Sequence, residues 1–188
     1  AGNSTMVIDE TANIEEAARN TRLSKTSDFG SGCSADGNLI IEASIFDKLV
    51  KQLQTEGGYL ANDAEKAALR RAMWDDEAHR TPDTVAIAPQ QLAKAAGFTI
   101  PADRKFIIVH GDGIGKVHAY SGEKLTTLLA VYKYQGFDQA LDMMRGVYQM
   151  RDRAKAHNKV LSIPEWGLWQ RADNHGGGDN ADYVARMA

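Results

Sequence analysis

The chain has 188 residues, 43% hydrophobic and 25% charged, with a formal net charge of -3 and a single cysteine. That is long enough for one well-buried domain and short for two. The mild acidity gives no electrostatic case for nucleic acid or an anionic membrane surface, and no apolar run approaches the ~18–20 residues that span a bilayer.

One cysteine cannot close an internal disulfide, so nothing calls for an oxidising compartment and the cytoplasm is the default. The chain starts without methionine and runs almost at once into Thr5-Met6-Val7-Ile8, which reads as a strand. Such a start suits an internal fragment of something longer, or a processed product.

Helix and strand signals then alternate, which argues for an α/β layered architecture. Asn13 with Glu16 forms a capping-box pattern, and Ile14, Ala17, Ala18 and Thr21 fall on one helical face. The stretch from Lys25 to Gly37 is rich in glycine, serine and threonine and reads as a loop. Asn38 to Glu42 is a short apolar strand. Ser44 is placed to cap a helix whose buried stripe is Ile45, Leu49, Val50 and Leu53, and Gly57-Gly58 stops it.

Asn62 with Glu65 opens the next helix, which runs through Leu69 to Met73. Thr84 to Ala88 reads as a strand, and Pro89 suits the first turn of a short helix that Gly97 ends. Lys105 to Val109 and Leu128 to Tyr132 are strands, and Phe137 to Tyr148 is an amphipathic helix. The last forty residues differ, with the strand-like Val160-Leu161-Ser162-Ile163, then Pro164-Glu165-Trp166-Gly167, then a polar stretch holding Gly176-Gly177-Gly178.

Cys33 sits in Asp28-Phe29-Gly30-Ser31-Gly32-Cys33-Ser34, just ahead of a strand. A thiol is a useful nucleophile only as thiolate, which needs exposure and nearby donors or positive charge. A glycine-rich loop offers approachable backbone N–H groups for a thiolate or an oxyanion. Loop context alone leaves this reading open beside another, a small buried hydrophobe.

Three segments, in order, carry a resemblance. They are Gly2-Asn3-Ser4-Thr5-Met6-Val7-Ile8-Asp9-Glu10-Thr11-Ala12, Ser24 through Ser34 around the cysteine, and Ser121-Gly122-Glu123-Lys124-Leu125 with Leu129-Ala130-Val131-Tyr132. Together they resemble the catalytic half of an aldehyde dehydrogenase over residues 1–148. Gly58-Tyr59-Leu60-Ala61-Asn62 and the 121–125 segment are most similar to the CoA-acylating branch, with the sulfoacetaldehyde dehydrogenases nearest.

The resemblance implies a three-layer α/β catalytic domain of the aldehyde dehydrogenase type, incomplete at its C-terminal end. It implies that Cys33 attacks an aldehyde, that NAD or NADP takes the hydride, and that CoA receives the acyl group. Glu123 would hold the hydroxyls of the nicotinamide ribose; its other reading is an ordinary exposed glutamate at a helix start. The family's dinucleotide-binding domain is not in this sequence, so the chain holds a nucleophile without a cofactor domain of its own.

Gly111-Asp112-Gly113-Ile114-Gly115-Lys116 lacks the spacing of a phosphate-binding loop and reads as a turn. After Tyr148 the family pattern breaks, and 149–188 forms a separate tail. Residues 154–187 resemble the end of a (β/α)8-barrel glycoside hydrolase, in which Glu165 would be the nucleophile at the end of a barrel strand. No partner carboxylate for it can be identified.

The alternatives to an acylating dehydrogenase fragment are therefore a chimeric or recombined protein with no catalytic activity of its own, or a glycoside hydrolase remnant using Glu165. His79, His110, His118, His157 and His175 show no metal-ligand spacing, and no metal is expected. His79 and Arg80 read as solvated, Asp75-Asp76-Glu77 as an exposed face, and Trp74 as an anchor in the core. The expected partner is a small-molecule aldehyde, with truncated sheet edges favouring a homo-oligomer.

Overall fold

In a computed structural model, residues 3–115 and 117–147 are described. Five strands form one parallel sheet in the order β1-β2-β5-β4-β3. They are β1 (Thr5–Ile8), β2 (Asn38–Glu42), β3 (Gly58–Leu60), β4 (Phe106–His110) and β5 (Leu128–Tyr134). The helices are α1 (Ile14–Thr26), α2 (Phe46–Thr55), α3 (Asp63–Met73), α4 (Pro89–Ala95) and α5 (Phe137–Val147).

Alternation along the strands sorts the core into two faces, because successive side chains leave a strand on opposite sides. Leu39 and Ile41 of β2, with Leu129 and Val131 of β5, pack under α1 and α2 beside Ala18, Leu49 and Leu53. Ile40, Leu128 and Ala130 face the other way, onto Leu69 and Met73 of α3, Leu92 of α4 and Met144 of α5. The result is a three-layer α/β/α domain. The central strands β2 and β5 are apolar on both faces, as a parallel sheet covered by helices requires.

Local chemistry sets most boundaries. Asn13 accepts from the Glu16 backbone N–H at the start of α1, and Asn62 with Glu65 forms a complete capping box on α3. Pro89 stands at the start of α4.

Several expectations are corrected. The predicted strand over Thr84 to Ala88 is a 3-10 turn (Pro82–Thr84) followed by a bend in which Ala86 has φ 54°. Its backbone is tied to the segment before β5, with Ala86 N–H donating to the Leu125 carbonyl at 2.9 Å. Ser44 does not cap α2, since its hydroxyl bonds the Glu42 carboxylate and the helix begins at Phe46.

Gly58 does more than end a helix: it opens β3, where a Cβ would meet Ile108 Cδ1 at 2.5 Å. The loop placed at Lys25 to Gly37 begins later, because Lys25 and Thr26 belong to α1 and Ser27–Gly30 is a 3-10 turn. Arg80 is not a solvated side chain. It is half-buried, hydrogen-bonded to Thr84 and Lys124, and lies 5.3 Å from the Trp74 ring centroid.

Trp74 itself is buried. Among the described residues no helix is long and apolar enough to cross a membrane. The readings for Val160–Ile163, Glu165, His157 and His175 lie outside the described residues.

Candidate active site

The chain leaves α1 through a tight reversal. Asp28 (φ 47°) and Phe29 (φ 51°) take the left-handed conformation and Gly30 (φ 67°) follows them. Two non-glycine residues in a row there store backbone strain, held in place by surrounding contacts. The Ser31 hydroxyl donates to the Asp28 carboxylate at 2.7 Å, and Ser31 N–H donates to the Asp28 carbonyl at 3.1 Å. Beyond the reversal Cys33 is exposed. The loop is re-anchored where Asp36 N–H meets the Ser24 hydroxyl at 3.0 Å and Gly37 N–H meets the Ser4 carbonyl at 2.9 Å.

Opposite this loop runs the segment that leads into β5. Its Lys124 is buried, and the ammonium donates to Asn38 Oδ1 at 2.9 Å and to the Gly122 carbonyl at 3.0 Å. Asn38, at the first position of β2, also reaches the Ser121 carbonyl at 3.2 Å. Asn3 donates to that same carbonyl at 2.8 Å. This polar net joins the amino ends of β1, β2 and β5.

The two sequence-predicted site residues meet across it. Cys33 and Glu123 line one small cleft, together with Asn3, Lys25, Gly37 and Lys124. The cleft lies at the amino ends of β2 and β5, which are neighbours in the sheet. Glu123 is half-buried, and among the described residues its carboxylate makes no hydrogen bond.

Sequence reasoning missed Lys25, Asp36 and Lys124. Lys25 is 1% exposed, and burial pulls its amine down to about 7 while Asp36 draws it back up. Burial pushes the Asp36 carboxyl up to about 6, against the pull of Lys25 and the Ser24 hydroxyl. Burial, then Lys25 and Arg80, hold Lys124 well below the usual range. A signal for Lys25 was present: it extends the buried face of Ala18 and Thr21 by one further helical turn. A lysine on a core stripe is rarely placed there for solubility.

The fold is similar to the acetylating aldehyde dehydrogenase from Geobacillus thermoglucosidasius, with a TM-score of 0.76 and 32% identity, covering 79% of this chain and 32% of that one. In sequence, the chain is 29% identical over 150 residues to the acylating sulfoacetaldehyde dehydrogenase of Cupriavidus necator, covering 79% of this chain and 30% of the relative. These similarities indicate an acylating aldehyde dehydrogenase domain.

A further relative is aldehyde-alcohol dehydrogenase 2 of Entamoeba histolytica, 29% identical over 176 residues, covering 88% of this chain and 20% of the relative. The chain thus spans about a fifth to a third of the length of these relatives. No protein-family model matches it.

Within this aldehyde dehydrogenase-type domain the described histidines lie apart from the cleft's lining. His110 ends β4 with its ring 5.6 Å from that of Phe46, and His79 is exposed beside Asp75 at 3.3 Å. His118 precedes the 3-10 turn Ala119–Ser121. Among the described residues no group of three or more His, Cys, Asp or Glu is arranged to hold a metal.

Proposed function

We propose that this domain carries the nucleophilic half of an NAD(P)-dependent acylating aldehyde dehydrogenase, with Cys33 as the nucleophile and Glu123 as a cofactor-orienting carboxylate. The observation that carries the reading is the shared cleft. Two residues far apart in sequence, each assigned by resemblance, come together at the amino ends of adjacent strands.

In this reading Cys33 adds to the carbonyl carbon of a small aldehyde to give a thiohemiacetal. A nicotinamide held beside Glu123 would supply the hydride acceptor, and the thiohemiacetal, on losing its C–H hydrogen as hydride, becomes an acyl thioester on Cys33. The thiol of CoA then takes that acyl group and releases the cysteine. The Glu123 carboxylate, without a hydrogen bond among the described residues, fits a role as acceptor for ribose hydroxyls. The exposed cysteine loop gives the substrate access, and the backbone N–H groups around Gly32 are approachable by an oxyanion.

The last half-reaction can be run backwards without a dinucleotide. Incubation with acetyl-CoA, followed by intact-mass measurement, is expected to add one acetyl group to the chain and none to Cys33→Ala. Absence of the acyl adduct from the wild-type chain would sink the proposal.

A further inference from the structure

Lys25 is the group in the cleft that packing does not explain. Its side chain is 1% exposed, yet its ammonium makes no hydrogen bond or ion pair among the described residues. A buried ammonium without partners is costly, and a structural lysine is normally satisfied as Lys124 is. Lys25 nonetheless lines the same cleft as Cys33 and Glu123.

The charged groups around Lys25 come from three elements. On α1, Arg22 is already committed to Glu56 at the end of α2, at 2.7 Å. From the loop before β2 comes Asp36, and from the segment before β5 come Glu123 and Lys124, with Arg80 behind them. Burial disfavours the charged amine and Asp36 favours it.

We propose that Lys25 is the base that receives the thiol proton of Cys33, and that Asp36 is a positioning residue that governs when Lys25 is free to do so. This rests on Cys33 being the nucleophile. The S–H bond of Cys33 breaks, directly or through one water, as an N–H bond forms on neutral Lys25. The electron pair stays on sulfur and goes to the carbonyl carbon. When CoA takes the acyl group, its thiol proton replaces the one lost from Cys33, and Lys25 releases its own to solvent. That is the single proton the overall oxidation sets free.

An ordinary alkylamine is fully protonated at neutral pH and has no capacity to accept. Burial holds Lys25 to about 7, so a substantial neutral fraction exists where the enzyme would work.

The chain has one cysteine, so alkylation by iodoacetamide followed by intact mass reports on Cys33 alone. Between pH 5.5 and 9.5 the wild-type rate should climb through an inflection near pH 7. Lys25→Met should abolish that inflection and slow labelling at pH 7 by about tenfold or more. Asp36→Asn should move the inflection to lower pH, because the carboxylate favouring the ammonium is gone.

An unchanged profile in a cooperatively melting Lys25→Met protein overturns the inference, while acetylation of Cys33 by acetyl-CoA would leave the nucleophile reading standing. If Lys25→Met fails to fold, Asp36→Asn decides: a displaced inflection supports the role and an unmoved one overturns it. Slow wild-type labelling across the whole range overturns this inference, and loss of the acyl adduct as well removes the reading beneath it.

Discussion

Arg80 donates to the main-chain carbonyl of Lys124 through both Nε, at 3.0 Å, and Nη2, at 2.7 Å. The same guanidinium lies over Trp74 and bonds Met73 and Thr84 on its other edge. One planar group therefore clamps the end of α3 to the segment that presents Glu123 and Lys124.

Replacing Arg80 should be severe even though it lies behind the cleft. Lysine has one compact head and cannot span the carbonyls of Met73, Thr84 and Lys124 and the Thr84 hydroxyl together. Arg80→Lys and Arg80→Met are both expected to cost about 2–4 kcal/mol, since several buried acceptors lose a charged donor. The urea midpoint measures this, and a lysine variant within error of wild type would contradict it.

Gly30 and Gly32 sit two residues apart and should respond very differently to alanine. A Cβ on Gly30 would stand 2.6 Å from the Thr126 carbonyl oxygen and 3.0 Å from that of Lys25, on a backbone with φ +67°. Neither backbone atom can step aside cheaply, so Gly30→Ala should lose about 2 kcal/mol or more and disturb the cysteine loop. A Cβ on Gly32 meets nothing within 4 Å, so Gly32→Ala should melt within a degree or two of wild type. Equal losses in thermal melts of the two variants would refute the distinction.

Stability should rise with pH above neutrality. Unfolded Lys25 keeps its proton to its ordinary value near 10.5, but the folded chain gives it up at about 7. Between those values the unfolded state binds more protons, so the folded state gains with pH. Lys124 acts in the same direction. Asp36 acts in reverse at lower pH: it ionises near 3.8 when unfolded and about 6 when folded, so stability falls as pH rises through that interval.

The two contributions meet in a minimum between about pH 6 and 7. Each group contributes up to about 1.4 kcal/mol per pH unit while the two states differ. Calorimetric melting at pH 7 and pH 9 should show a rise of several degrees that shrinks in Lys25→Met. A melting temperature that is flat or falling over this range would contradict the burial of these amines.

Asn38 ties three strand ends together, and losing it should be felt at Lys124. Asn38→Leu fits the apolar surroundings of β2 in size but removes an acceptor 2.9 Å from the buried ammonium. A cost of about 2–4 kcal/mol is expected, from leaving a buried donor under-satisfied. The denaturation midpoint of Asn38→Leu beside that of Asn38→Leu/Lys124→Met tests the cause. The second change should recover part of the loss.

What the sequence revealed and withheld follows from the range of the forces involved. The cap at Asn13, the capping box at Asn62 and the apolar runs of β2, β4 and β5 are local patterns, and they were legible. The Cys33 and Glu123 segments were legible only through resemblance, since nothing in their spacing brings them into one cleft. Thr84 to Ala88 alternates like a strand, but Arg80 and Leu125, both distant or out of pattern, hold it in a bend. The strand β3 is three residues long and opens on glycine, so it has too little periodicity to announce itself. Lys25 was visible as a helical neighbour of Thr21, yet its meaning came from Asp36 and Lys124, which only folding brings near.

The cleft's place at the amino ends of β2 and β5 has a consequence for how such a domain can diverge. Open α/β sheets usually gather ligands at the carboxyl ends of their strands, where variable loops do the specialising. Here Cys33 and Glu123 sit at the opposite rim, and their meeting depends on the register of the two central strands. Loops after β3 and β4 can therefore be lengthened, exchanged or grafted with new binding segments as an independent modification. Shortening by even one residue between Cys33 and Asn38 would uncouple Cys33 from Glu123 at a stroke.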